Sequence, residues 1–137
     1  MAAKPIYIGS IKSALAQILP ADVSNLVVLW TPPALGSKIT ALGVSSTDTA
    51  ARDIALYITK SAVDYLLFTV AIPVTAGFTN AIPAVDLLAS AMGPWVRTDA
   101  DGAKYLMLES GAVLKAKALT TVTAAKALQF FMQGGDF

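Results

Sequence analysis

The sequence predicts an all-β fold, an antiparallel sandwich or barrel of seven or eight short strands. Two patterns point there. Apolar and polar residues alternate at period two in several runs, with β-branched and aromatic residues concentrated in them. Turn signals built on glycine, proline and serine separate these runs at roughly 8–12-residue intervals, the spacing of sandwiches and barrels. A third observation sets the scale: 137 residues form one domain large enough to bury a core without disulfides or metals.

Taken in order, the N-terminal segment is the exception. Ile11, Leu15, Ile18 and Leu19 fall at i, i+4, i+7 and i+8 and are closed by Pro20, which predicts a helix or an extended arm over Gly9–Leu19. The expected organisation is therefore an arm or helix over 1–24 and a sandwich over 25–137. Leu26–Trp30 is a short apolar strand stopped by Pro32 and Pro33, and Lys38–Val44 follows the Gly36-Ser37 turn. Asp53–Thr59 sets Ile54, Leu56 and Ile58 on one face and Asp53, Tyr57 and Thr59 on the other. Lys60-Ser61-Ala62 connects it to Val63–Ile72 in a hairpin, the second strand carrying Leu66, Phe68, Val70 and Ile72 on one face and Tyr65, Leu67 and Thr69 on a face expected to be covered as well. Val85–Leu88 is short. Tyr105–Leu108 and Val113–Leu119 form a second hairpin through Glu109-Ser110-Gly111, and Leu128–Met132 is the last strand, ending at Gly134-Gly135. Internal repeats and low-complexity runs are not evident.

Composition narrows function. The chain is 55% apolar and 14% charged, against about 45–50% and about 25% in ordinary soluble domains. It has neither histidine nor cysteine. Imidazole acid–base catalysis, Ser-His-Asp triads, thiolate nucleophiles, disulfides, zinc knuckles and iron–sulfur ligation are thereby excluded. Eight aspartates, Glu109, eight lysines and two arginines remain, for a net charge of +1. The cations are scattered, Lys115 and Lys117 being the one close pair on a strand face, so no nucleic-acid partner is expected. Tyr65–Val85 lacks charge for 21 residues, but Pro73, Gly77, Asn80, Pro83 and three threonines interrupt it, so no membrane span is expected either. The N-terminus, with Pro5, Gly9, Ser10, Lys12 and Gln17, lacks the unbroken apolar block of a signal peptide.

Each candidate chemical site has a plainer reading. Asp99-Ala100-Asp101-Gly102 is the one local group like a metal loop, but the twelfth position from Asp99 is Ser110 and from Asp101 is Ala112, where an EF-hand needs glutamate. A solvated turn with Gly102 at positive φ is expected instead. Glu109 with Asp99 or Asp101 is the conceivable carboxylate pair of a glycosidase; strand-end solvation is the expected role. Ser37-Lys38 and Lys60-Ser61 are sequence neighbours, which on a strand point to opposite faces, so neither makes a Ser–Lys dyad. There is no Gly-x-Ser-x-Gly elbow, and Gly134-Gly135 has no helix after it to form a phosphate loop. No catalytic, cofactor or metal site is assigned. Trp30 and Trp95 stand at strand ends, where core packing and interface anchoring are both open.

Gly36-Ser37-Lys38-Ile39-Thr40-Ala41-Leu42, Ser46–Asp53, Val63–Leu67, Pro83–Leu88 and the terminal Gly134-Gly135-Asp136-Phe137 together resemble small virion proteins of tailed bacteriophages, in particular jelly-roll capsid cement (decoration) proteins. The resemblance covers about residues 6–137, close to one whole domain by size. It implies an eight-stranded jelly roll, made in the host cytoplasm and placed on the capsid outer surface. The implied partners are the major capsid protein and a second copy of the chain in a homodimer. Ile6, Tyr7, Ile11, Trp30, Pro32, Pro33, Phe78, Trp95 and Phe137 are the candidate interface residues, with the N-terminal arm (2–19) and the loops Trp30–Pro33 and Thr75–Ile82 as contact surface. A tail or baseplate component, and a carbohydrate-binding jelly roll with Trp30 or Trp95 as sugar platform, are the alternative functions.

Overall fold

A computed structural model describes residues 9–90 and 95–137. Ten strands run β1 (Ser10–Ile18), β2 (Val27–Trp30), β3 (Ser37–Ser46), β4 (Arg52–Lys60), β5 (Val63–Ile72), β6 (Val85–Asp86), β7 (Arg97–Thr98), β8 (Lys104–Leu108), β9 (Val113–Ala118) and β10 (Leu128–Asp136). A four-residue helix, α1 (Leu87–Ser90), follows β6. One sheet has the order β1-β10-β3-β8-β7, with β6 pairing to β3; the other has the order β2-β9-β4-β5. All pairings are antiparallel. If β6 and β7 are set aside and the other eight strands renumbered, the orders are 1-8-3-6 and 2-7-4-5. That is a jelly roll, two sheets laced together by Greek-key connections.

The segment expected as a helix or arm is β1. All nine residues pair with β10 in unbroken register, from Ser10↔Asp136 to Ile18↔Leu128. It is thus an edge strand of the larger sheet, hydrogen-bonded into the body across the expected 24/25 boundary. Val85–Leu88 is also divided: Val85 and Asp86 pair with β3, and the Asp86 carboxylate accepts from the Leu88 N–H at 3.0 Å, capping α1 in the manner of an N-cap aspartate.

β10 extends beyond its expected end. Gly134 lies where a Cβ would stand 2.0 Å from the Lys38 carbonyl oxygen. Gly134 therefore lets the strand pass close to β3 at a bulge that leaves Thr40 unpaired. The β4–β5 hairpin turns at Ser61 and Ala62, both at positive φ, as a two-residue turn matched to strand twist requires.

The core fills the space between the sheets. Ile39, Leu42, Val44, Phe130 and Met132 from the larger sheet meet Trp30, Ile54, Leu56, Leu114 and Ala116 from the smaller one. At one end of the sandwich the loops β3–β4, β5–β6 and β9–β10 converge. At the other lie the turns 61–62 and 109–112, the β2–β3 loop and the C-terminus.

Candidate functional site

The interface residues expected from the sequence fall in different places. Trp30 is 1% exposed, inside the core, and Pro32 is buried too, so neither presents a contact surface. The Lys12 ammonium lies 4.7 Å from the Trp30 ring centroid, covering the indole from the β1 side. Pro33 is exposed. Phe78 is exposed in the β5–β6 loop, and Ile11 stands on the outer face of the larger sheet. Ile6 and Tyr7 lie outside the described residues. The structure brings together Trp95 and Phe137.

Those two line a groove of about 830 Å³ with Leu35, Tyr65, Leu66 and Met107. The groove opens on the flank where β5 ends one sheet and β8 lies near the margin of the other. Its origin is local. β5 pairs Leu56↔Phe68 and then Tyr57↔Leu66, leaving Leu67 as an extra residue. This bulge turns Leu67 to the core and Leu66 outward, reversing the face predicted for both, and the face expected to be covered as well leaves Tyr65 and Thr69 exposed. The Trp95 indole N–H donates to the Leu67 carbonyl at 3.0 Å, fixing the ring, 46% exposed, over the bulge. At the rim the Lys60 ammonium pairs with the Glu109 carboxylate. Glu109 is therefore occupied by a cation across a turn.

A second surface is the outer face of the larger sheet. Cross-strand rows run Gln17–Gln129–Ser45, Leu15–Phe131–Gly43 and Ser13–Gln133–Ala41. These nine positions carry no charge. Leu15 and Phe131 stand exposed at the centre, with depressions of about 490 and 400 Å³ beside the phenylalanine ring. The opposite outer face carries Lys115 and Lys117, the latter with its ammonium 5.2 Å from the Tyr57 ring centroid.

The third feature was not foreseen. Asp48 is fully buried in the β3–β4 loop. Its Oδ2 accepts from Arg52 Nε at 2.7 Å and the Thr123 N–H at 3.1 Å; its Oδ1 accepts from the Thr123 hydroxyl at 2.6 Å and the Ala50 N–H at 3.0 Å. Arg52 donates further to the Thr120 and Thr123 hydroxyls. The Asp48 carbonyl accepts from the Thr75 N–H at 3.1 Å. Asp48 thus ties three loops together, its carboxylate joining the β3–β4 and β9–β10 loops and its backbone carbonyl holding the β5–β6 loop. Burial by itself would raise its pKa, but the bonds from Arg52 and Thr123 outweigh that and hold the carboxyl well below the usual carboxylate range. With its acceptor sites taken, Asp48 is a fastening and not a base.

The Asp99–Gly102 segment is the expected turn: Asp99 Oδ1 accepts from the Asp101 and Ala103 N–H groups, each at 2.9 Å, and Gly102 has φ +85°. Among the described residues, no group of three or more aspartates or glutamates is placed to hold a metal ion, and no helix is long and apolar enough to cross a membrane.

In comparisons with known proteins, no family model and no curated sequence matches the chain.

Proposed function

We propose that this chain is a structural virion protein, a capsid cement protein that binds the outer surface of a phage capsid and bridges neighbouring major-capsid-protein subunits. The observation that carries the reading is the apolar flank at Trp95, Tyr65, Leu66, Met107 and Leu35, exposed on a domain that already has a complete core. Contiguous exposed apolar surface of this kind marks a protein-binding site. A fixed tryptophan beside a tyrosine suits the role of interface anchor. Attachment at many copies per shell multiplies contacts that are individually weak. The low charge of the chain and the resemblance of its sequence to jelly-roll cements support the same reading.

Cryo-electron microscopy of virions made by the virus that encodes the chain tests this. The expected result is density for the jelly roll on the outer capsid, with the Trp95 flank against the major capsid protein. Density confined to the tail or baseplate would overturn it.

A carbohydrate-binding module is a second reading, favoured by Trp95 and Tyr65 lining one groove. The polar groups that would orient a sugar are sparse there: the indole N–H is taken by Leu67, and Lys60 and Glu109 are taken by each other. Glycan binding abolished by Trp95→Ala would favour this reading over the first.

A further inference from the structure

Among the described residues the edge strands are β1, β7 and the two-residue β6 in one sheet, and β2 and β5 in the other. An exposed edge offers unpaired N–H and C=O groups to any other strand, and proteins blunt such edges by shortness, charge, proline or bulges. β7 has two residues, one of them Arg97. β2 has four, with a shift of register. β5 is bulged at Leu67 and carries Asp64. β1 has none of these devices. It runs nine residues without a bulge or proline. Its one charged residue, Lys12, is turned inward, donating to the Thr31 carbonyl at 3.1 Å and lying 3.7 Å from the Asp136 carboxylate. The side chains facing out are Ile11, Ser13, Leu15 and Gln17, and the two aliphatics are 85% and 77% exposed.

We infer that the β1 edge binds the β1 edge of a second copy of this chain, antiparallel about a two-fold axis at Ser13. This register is selected by the sequence of the strand. With Ser13 opposite Ser13 of the second copy, Ile11 lies opposite Leu15 and Leu15 opposite Ile11, so both exposed aliphatics of both copies are covered. Lys12 meets Ala14, so no like charges are directly opposed. Moving the axis one residue, to Ala14, sets Ile11 against Gln17 and Leu15 against Ser13 and pairs no aliphatics. Main-chain bonds join the two six-stranded sheets into one. The Leu15–Phe131 row then continues onto Ile11 of the second copy, making one uncharged surface across the dimer.

The absence of cysteine makes the test clean. Cα atoms directly opposite in an antiparallel pair stand about 4.5–5.5 Å apart, within the reach of a disulfide. The full chain and the variants Ser13→Cys, Gln17→Cys, Leu15→Lys and Ile11→Lys are measured by light scattering coupled to gel filtration. Oxidised samples of the cysteine variants are also run on non-reducing gels. The expected mass is twice 14.2 kDa for the parent chain. Each lysine variant should dissociate at least about a hundredfold more readily, since two buried aliphatics are lost per dimer, with an unchanged circular dichroism spectrum. Ser13→Cys should cross-link rapidly, and Gln17→Cys should not, its two copies lying about 27 Å apart in this register. A parent chain that stays at 14.2 kDa up to its solubility limit would overturn the inference. So would a dimer indifferent to Leu15→Lys, or one that cross-links equally at both cysteines. Capsid attachment enters none of these readouts, so this inference and the capsid reading fail separately.

Discussion

The loop end held by Asp48 and the outer face bearing Leu15 and Phe131 treat side chains in opposite ways. At the first, a carboxylate and a guanidinium are drawn out of water and given partners on two loops, while the Asp48 backbone carbonyl holds a third. At the second, a leucine, a phenylalanine and an isoleucine stand in solvent among serines and glutamines. Both arrangements are costly for an isolated domain. A buried ion pair scarcely breaks even against apolar packing, and exposed aliphatics forgo the transfer energy that burial would give. The difference lies in where each acts. The clasp fixes loops that have no sheet to hold them, whereas the outer face contributes nothing to the interior and is available to another surface. The 55% apolar content is therefore shared between a core and an exterior.

Several substitutions probe this contrast, and the largest effects belong at the clasp. Asp48→Ala leaves the Arg52 guanidinium and the Thr123 and Ala50 N–H groups without their carboxylate; urea unfolding should register a loss of about 3–5 kcal/mol. Acid acts on the same group. Its carboxyl sits below the ordinary range when folded and near about 3.9 when unfolded. The stability it contributes is therefore complete above that unfolded value and is lost as the pH falls toward the folded one. Acid titration of unfolding free energy should fall more steeply below about pH 4 for the parent chain than for Asp48→Asn.

Gly134→Ala comes next. The added methyl meets the Lys38 carbonyl and must push β10 from β3, costing about 1–3 kcal/mol in thermal or chemical unfolding. Smallest is Leu15→Lys, which should change the unfolding free energy of the monomer by under about 0.5 kcal/mol. A loss as large as that of Asp48→Ala would erase the contrast, because Leu15 would then belong to the interior.

Most of the strands were readable, but one pairing was not. Tyr105–Leu108 and Val113–Leu119, expected as a hairpin, lie in different sheets, β8 pairing with β3 and β7 and β9 with β2 and β4, because the 109–112 turn crosses between the layers. Val63–Ile72 is rich in β-branched and aromatic residues and runs the full length expected. β1 was hard to read because its burial is inverted. Its inward positions include Ala14 and Ala16, which carry little apolar signal, while the large aliphatics Ile11 and Leu15 face out. Their spacing then imitates a helix. The end of β10 was obscured by Gly134-Gly135, since glycines usually punctuate a strand, whereas here Gly134 permits close approach to Lys38. Trp30 could be core or interface by sequence, and only the second sheet closing over it decides for core. The Trp95 flank depends on a one-residue bulge at Leu67, which alternation cannot reveal. The clasp was invisible for another reason: Asp48 and Thr123 are 75 residues apart, and short polar residues in loops ordinarily read as solvated.

Copy number in the particle bears most directly on the proposal that this exterior is built to adhere to a shell. Quantitative mass spectrometry of purified virions should find the chain in hundreds of copies, in a fixed ratio to the major capsid protein. Its absence from the particles, or a stoichiometry of a few copies, would contradict the account.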